Sequence, residues 1–423
     1  MLFIRSLASL LLLVVAGCTK SETPASDATA TASTSPSATA RATPVAATTS
    51  AAPAAAVASV PAKAAPSATT GIPKTGASAR SVGGFFFGRQ NKVAQVVEIE
   101  QLHSALSAYK EAKFQYPPSM AEAVVADRKV HFMRHLQAAF SNSNYGVTTA
   151  HFDNLRNQLR TANGLGAGSQ PYTYRAADGS VLPLDLNTLD QAETLVFWLG
   201  GFPTPVKPDG TPLIAQKTFG FSIDRDSPLK RDAAQVEADN PLKLRTTAYF
   251  DFKPERLVDR DGDGWLECVP HGADKVPGSA PYVHFDADTF SRATTPPGKK
   301  PFDITNFTVY PRPDGPQAKE LAARWGVAMP LAKQYDDSGK LPLTWMNERN
   351  FQIIAPGDDD MYSAPVTGDL AAALRLTVFP SGDTYTKAGG FSAAAKTNYS
   401  KEELDNVTNL TFKTLGEARD EAK

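Results

Sequence analysis

The sequence predicts an α+β fold, because helical patterns fill its first folded portion and strand-compatible segments follow later. Apolar residues recur at helical spacing over residues 90–112, and a second amphipathic run covers residues 119–140. After Pro203, frequent proline and glycine limit regular elements to short strands joined by long ordered loops. We therefore expect a small antiparallel sheet built from the C-terminal half of the chain.

Residues 1–17 have the composition of a secretory signal peptide. Arg5 supplies a positive charge, and residues 7–16 form an uninterrupted run of small or apolar side chains. This run is shorter than the roughly 20 apolar residues that cross a bilayer. It ends in Val15-Ala16-Gly17-Cys18, which resembles a bacterial lipobox. We predict an exported lipoprotein with an acyl chain such as palmitate on Cys18; the alternative is an ordinary secretory signal followed by a chance cysteine.

Residues 18–82 are rich in Ala, Thr, Ser and Pro and nearly lack large apolar side chains, which predicts a flexible tether. Residues 83–423 are predicted to form a globular head. If Cys18 is lipidated, Cys268 has no intramolecular partner, so the head must rely on an ordinary hydrophobic core. The net charge of -1 gives no indication of a nucleic-acid partner.

Three helices are predicted in the head. The first covers residues 90–112 and ends before a pair of prolines, which cannot continue it. Ser119 and Glu122 match a capping box, so the second helix is expected to begin there and to run through Phe140. The segment 190–202 carries consecutive large apolar side chains and is expected to be a core helix closed by two glycines.

Several sequence blocks follow one another in a recognisable order. LHSALSAYKEAKFQYPPS lies at residues 102–119, WMNERNFQIIAPGDDD at 345–360 and DNVTNLTFKTL at 405–415. Between residues 119 and 290 lie SMAEAVVADRKVHFMRHLQAAF, LDQAETLVFWLGGFP, RLVDRDGDGWLECVP and APYVHFDADTF. In this order, the blocks resemble the head of a major (G-type) pseudopilin of type II secretion, in the enlarged version common in planctomycete bacteria.

This resemblance implies a long N-terminal helix packed on a small antiparallel sheet, with a large helix and loop insertion at about residues 141–280. A pseudopilin begins with a prepilin cleavage site and an apolar helix of roughly 20 residues, and no such segment precedes residue 90 here. The implied protein is therefore a pseudopilin-like head on a lipoprotein anchor in the cell envelope, at the outer membrane or the periplasmic face. Its implied role is structural or interaction-based, in or derived from a type II secretion or pilus-like system, with the membrane and assembly proteins as partners.

Asp259, Asp261, Asp263 and Glu267 form a first candidate calcium site. Alternating aspartates followed by glycine place carboxylates inside a tight loop, and hard oxygen ligands at this spacing suit calcium. Pro270 occupies the position where an EF-hand loop has its last glutamate, and Glu267 compensates in part. The alternative is a solvated acidic turn that holds no ion.

Asp358, Asp359, Asp360 and Asp405 form a second candidate calcium site. In short G-type pseudopilins, the corresponding loop binds calcium with its own aspartates and one from the closing segment. The resemblance therefore implies Asp359 and Asp405 as ligands, with Asp358 or Asp360 assisting. The family's loop serine is Ala355 here, and its glycine after the aspartate is Asp360. The alternative is a set of solvated surface carboxylates.

The sequence contains no recognised catalytic motif. It lacks a G-x-S-x-G elbow, a P-loop and a Cys/His nucleophile arrangement, so we do not expect an enzyme. His131 and His135 have a spacing that zinc ligands use, but no third ligand is apparent and a structural role is favoured. The alternative function is a solute- or polysaccharide-binding envelope lipoprotein that reuses the head fold.

Overall fold

The fold is known from a computed structural model. It describes residues 83–140, 145–161, 171–176, 178–203, 218, 220–224, 226–230, 245–271, 278–286, 307–334, 343–347, 349–370, 375–386 and 399–423. The predicted signal peptide, Cys18 and the tether lie outside the described residues. The described part combines α-helices with small antiparallel sheets, as the sequence predicted.

Six α-helices occur in the described part of the chain. They are α1 Gly83–Lys113, α2 Val125–Ala139, α3 Thr149–Thr161, α4 Glu193–Gly200, α5 Ala318–Trp325 and α6 Leu415–Glu421. A short 3₁₀-helix covers Pro254–Arg256. None of these helices has both the length and the apolar character that crossing a membrane requires.

The described strands are short, and they pair with one another in antiparallel fashion. They are β1 Thr173–Arg175, β2 Val181–Pro183, β3 Leu257–Val258, β4 Glu267–Cys268, β5 Val283–Asp286, β6 Ala332–Gln334, β7 Leu343–Trp345, β8 Phe351–Ala355, β9 Arg375–Thr377, β10 Thr384–Thr386 and β11 Val407–Thr408. Strands β5, β8 and β11 form a three-stranded sheet with β8 in the centre. The remaining strands form the two-stranded pairs β1–β2, β3–β4, β6–β7 and β9–β10.

The three-stranded sheet separates two hydrophobic clusters. Phe351 and Ile353 of β8 belong to the first cluster, together with apolar side chains of α1, α2 and α4. Ile354 of β8 and Phe285 of β5 belong to the second cluster, together with Trp325 at the end of α5. Successive side chains of a strand point to opposite faces, so β8 contributes to both clusters and is buried along its whole length.

Helix α1 contacts both the other helices and the sheet. Leu102 and Tyr109 are fully buried. The Tyr109 hydroxyl lies 2.8 Å from Nε2 of His135 in α2. The ring of His103 lies 5.0 Å from the ring of Phe351 in β8, measured between centroids.

Two amide side chains connect β8 to neighbouring segments through hydrogen bonds to backbone groups. Gln352 belongs to β8 itself, and Asn409 follows β11. Gln352 Oε1 accepts from Leu331 N at 2.7 Å, and its Nε2 donates to Leu331 O at 3.0 Å. Asn409 Oδ1 accepts from Ile353 N at 2.7 Å, and its Nδ2 donates to Phe351 O at 3.3 Å. These bonds satisfy buried backbone groups where the ladder ends and attach neighbouring segments to the strand.

The predicted capping box at the start of the second helix is wrong. Helix α2 begins at Val125, and its N-terminus has no side-chain cap. Ser119 instead donates to Asp286 Oδ2 through both its backbone N and its Oγ, each at 2.7 Å. Glu122 is bonded to the His131 ring. Both side chains are committed to tertiary contacts, which leaves neither to cap the helix.

Helix α4 confirms the predicted core helix within residues 190–202. Every residue from Glu193 to Gly200 is buried. Gly201 follows the helix with a φ of 92°, and a Cβ at that position would lie 2.3 Å from Gly220 Cα. The close approach of the two backbones therefore requires glycine at Gly201.

Candidate metal centre

The aspartate-rich loop lies between β3 and β4 and is organised by Asp259. One carboxylate oxygen of Asp259 accepts from Gly262 N at 2.9 Å, and the other accepts from Gly264 N at 3.0 Å. Both glycines have positive φ, and a Cβ on Gly264 would lie 2.3 Å from Cγ of Tyr174. The loop can therefore turn tightly only because glycine stands at this position.

The turn brings Asp261 and Asp263 next to Glu193, the first residue of α4. Ligand oxygens of these three side chains all lie within 4.8 Å of one another, and all three residues are buried. In the described part of the chain, this is the one group of three or more His, Cys, Asp or Glu side chains with that spacing. Oxygens about 2.4 Å from one calcium ion are separated by at most about 4.8 Å, so the spacing fits a single cation.

Unpartnered oxygen atoms support a cation at this position. Among the residues that the structure describes, Glu193 Oε1 and Asp263 Oδ2 are buried without a hydrogen-bond partner. The second oxygen of each is bonded, since Glu193 Oε2 accepts from Asp190 N and Asp263 Oδ1 accepts from Trp265 N, both at 2.9 Å. A buried acceptor without a partner is costly. The site thus holds each carboxylate through one oxygen and leaves the other for a ligand.

Burial makes ionisation of Asp261, Glu193 and Asp259 unfavourable in the absence of a cation. It raises the pKa of Asp261 to about 10, and the neighbouring charges of Asp263 and Glu267 add to this effect. Burial likewise raises the pKa of Glu193 well above its usual value and the pKa of Asp259 to about 6. A bound divalent cation would reverse this preference, because it stabilises the ionised form.

The structure places the four residues of the first predicted site in different roles. Asp261 and Asp263 belong to the compact group, whereas Asp259 binds the amides of its own loop. Glu267 lies buried in β4, where Oε1 accepts from the Tyr310 hydroxyl at 2.7 Å and Oε2 has no partner in the described part of the chain. Glu193 was not predicted from the sequence, where an acidic residue in the first turn of a helix is ordinary. Its position directly before the apolar run of residues 195–199 is a sequence signal for a buried carboxylate, but not for a neighbour of Asp261.

The second predicted site is brought together only in part. Asp405 Oδ2 accepts from the backbone N of Asp358 at 2.8 Å and of Asp359 at 3.1 Å. The side chain of Asp360 has a different partner, because its Oδ1 accepts from Ala280 N at 2.8 Å. Asp405 therefore lies beside the loop, and one of its oxygens already binds loop amides.

His131 and His135 have separate partners. His131 is bonded to Glu122, whereas His135 is close to the Tyr109 hydroxyl and packs its ring 4.7 Å from Trp198. Each ring is therefore part of the packing between α2 and its neighbours, in keeping with the structural role that the sequence favoured.

Comparison with known proteins gives no family. No protein-family model matches the chain, and searches of curated proteins and of solved structures found no match. A function for the chain therefore has to be argued from its residues and its geometry.

Proposed function

We propose that the chain is a lipid-anchored cell-envelope protein with a pseudopilin-like head. Its role is structural or interaction-based, within or derived from a type II secretion or pilus-like system. The signal-peptide pattern that ends at Cys18 supports the anchor, and the order of the sequence blocks supports the head.

The position of α1 beside the sheet supports the pseudopilin-like head. Gln95 in α1 donates from Nε2 to Gly357 O at 3.3 Å, just after β8. Further along the helix, the His103 ring lies near Phe351 and near Asn409 Nδ2. The blocks that carry the resemblance therefore meet where α1 crosses the central strand.

We further propose that calcium occupies the Glu193, Asp261 and Asp263 centre and stiffens the head. The observation that carries this proposal is the set of buried, unpartnered carboxylate oxygens drawn from two separate elements. All three donors are hard oxygens, which favours calcium, magnesium or manganese over softer metals. Magnesium needs near-ideal octahedral geometry and keeps several waters, so a buried, carboxylate-rich site suits calcium better. The ion would join the start of α4 to the loop between β3 and β4.

Calcium is expected to raise the melting temperature of the purified protein. At a calcium concentration about 100 times Kd, the stabilisation is about 2.7 kcal/mol, a rise of roughly 4 °C for a head of this size. Asp261→Asn should abolish the rise, because it removes a ligand charge. The measurement is thermal unfolding in EDTA and in a calcium series.

The matched control is Asp251→Asn, a change of the same type at an exposed position outside the centre. It should keep the full calcium response. In EDTA, Asp261→Asn should be as stable as the unmodified protein or more so, because it removes a buried ionisable group. A calcium response that persists in Asp261→Asn would contradict the assignment of this centre.

Cys18→Ala is expected to move the protein from the membrane fraction to the soluble fraction of its host cell. The change removes the thiol that would carry the lipid, and with it the membrane affinity of about 0.8 kcal/mol for each buried CH₂ of the lipid. Fractionation followed by immunoblotting, together with labelling by an alkyne palmitate analogue, measures both effects. Labelling that is equal in the variant and the unmodified protein would argue against lipidation at Cys18.

A further inference from the structure

Gln317, the residue directly before helix α5, has a backbone conformation that is unusual for a glutamine. Its φ is 51° and its ψ is 12°, which lies in the left-handed region. This region is costly for a residue with a Cβ and is usually occupied by glycine or asparagine. Such a conformation persists only where surrounding contacts hold it. The contacts of Gln317 therefore call for an explanation.

The side chain of Gln317 reaches the loop of the metal centre. Its Nε2 donates to the backbone O of Asp261 at 2.8 Å, and a Cβ added to Gly262 would lie 3.7 Å from this nitrogen. The Asp261 carboxylate belongs to the group of three ligand side chains. Gln317 thus holds the main chain of a residue whose side chain is a candidate ligand. Partners that hold metal ligands in place commonly change the metal affinity by roughly 10- to 100-fold.

Helix α5 begins at this contact and ends beside the second acidic loop. Gln317 O accepts from Leu321 N at 3.0 Å, which starts the first turn of the helix. At the other end, Trp325 O accepts from Tyr362 N at 2.8 Å. Residues 358–360 lie directly before Tyr362 and Met361. The helix therefore connects the two acidic loops, one at each of its ends.

Two arginines add a second connection between the loops. Arg260 precedes Asp261 in the first loop, and Arg324 lies in the last turn of α5. Burial raises the pKa of Asp360, whereas the charges of Arg260 and Arg324 act to lower it. Both arginines are therefore close enough to Asp360 for a movement of α5 or of the first loop to change its surroundings.

We propose that Gln317 positions Asp261 for calcium and couples the metal centre to α5 and to the 358–360 loop. This coupling depends on the proposed occupation of the centre by calcium. An ion on the Asp261 carboxylate restrains the peptide group between Asp261 and Gly262, whose oxygen is the acceptor of the Gln317 side chain. A bond that strengthens calcium binding is itself strengthened by calcium, because coupling between two equilibria is reciprocal.

Calorimetric titration of the full-length protein with calcium chloride tests the positioning role. Gln317→Ala is expected to raise the calcium Kd by roughly three- to tenfold, because it removes one hydrogen bond that holds a ligand residue. Gln101→Ala, the same change at an exposed position of α1, is the matched control and should leave Kd unchanged. A purely structural role of Gln317 would lower the melting temperature in EDTA without changing Kd.

Hydrogen exchange measured by mass spectrometry tests the coupling. In the unmodified protein, calcium should slow amide exchange in residues 259–264, 318–325 and 358–362. In Gln317→Ala at saturating calcium, the protection of 259–264 should remain, whereas the protection of the other two segments should fall by roughly three- to tenfold. Asp261→Asn should lose the calcium protection of all three segments.

Two results would overturn the coupling. One is a calcium protection of residues 358–362 that persists in Asp261→Asn, because an ion would then bind in that loop itself. The other is a Gln317→Ala variant in which both Kd and the protection of α5 are unchanged. If the unmodified protein bound no calcium, the proposed function would fail and the coupling with it, so this failure is distinct from the other two.

Discussion

Replacing Glu98 with alanine is expected to lower the free energy of unfolding by about 3–5 kcal/mol. Glu98 lies on α1 and forms a buried, two-pronged ion pair with Arg256, the last residue of the 3₁₀-helix before β3. The Tyr282 hydroxyl also donates to Glu98 Oε2, at 2.6 Å. Removing the carboxylate would leave a buried guanidinium with Val269 O as its principal partner, and an uncompensated buried charge is costly.

Urea unfolding at constant pH measures this loss. Glu100→Ala on the same helix is the matched control, because Glu100 is exposed, and its cost should be within about 0.5 kcal/mol. The double variant Glu98→Leu and Arg256→Leu should recover much of the loss, since it removes both charges. A cost below about 1 kcal/mol for Glu98→Ala would mean that Arg256 finds water or another acceptor.

The metal-free protein is expected to lose stability as the pH rises from about 6.5 to 9. Burial raises the pKa of Asp261 to about 10 and that of Glu193 well above its usual value, whereas both are ionised in the unfolded chain above about pH 5. The folded state therefore binds more protons in this range, so stability falls by about 1.4 kcal/mol per pH unit for each such group. Over this range, Asp261 alone accounts for roughly 3 kcal/mol.

Below pH 6.5 a buried histidine acts in the opposite direction. Burial lowers the pKa of His284 to about 4, so the stability that its neutral form contributes is present above about 6.5 and is lost as the pH falls. The test is therefore urea unfolding in EDTA between pH 6.5 and 9, repeated with Asp261→Asn. The variant should have a shallower slope, and saturating calcium should flatten the slope of the unmodified protein. A metal-free stability that does not change over this range would refute the expectation.

Local patterns allowed parts of the fold and of the site to be predicted. The apolar run and paired glycines predicted helix α4, because burial and the glycine turn both depend on adjacent residues. The alternating aspartates predicted a tight loop with inward carboxylates, which is a local property as well. Glu193 could not be predicted as a neighbour of Asp261, because only the packing of α4 against the β3–β4 hairpin brings them together.

The capping box predicted at Ser119 and Glu122 was wrong for a related reason. Ser119 and Glu122 have the spacing of a capping box, but each side chain found a partner elsewhere, in Asp286 and in His131. A capping interaction contributes about 1 kcal/mol, and a buried carboxylate without donors costs more than that. The hydrogen bonds to Asp286 and His131 therefore outweighed the local preference of Ser119 and Glu122 for capping the helix.

The arrangement of the central strand constrains the order in which the chain can fold. β8 has β5 on one side and β11 on the other, and β11 is distant from β5 in the sequence. A chain that has emerged only as far as Ala355 during synthesis or export would leave one side of β8 with unpaired backbone groups, and such an edge recruits strands from other molecules. Completion of the sheet has to wait for Val407 and Thr408, and joining such distant segments is slow. A chain that folds before residues 407 and 408 have emerged would therefore expose one edge of β8 and could aggregate. A chain that folds only after these residues are present would not.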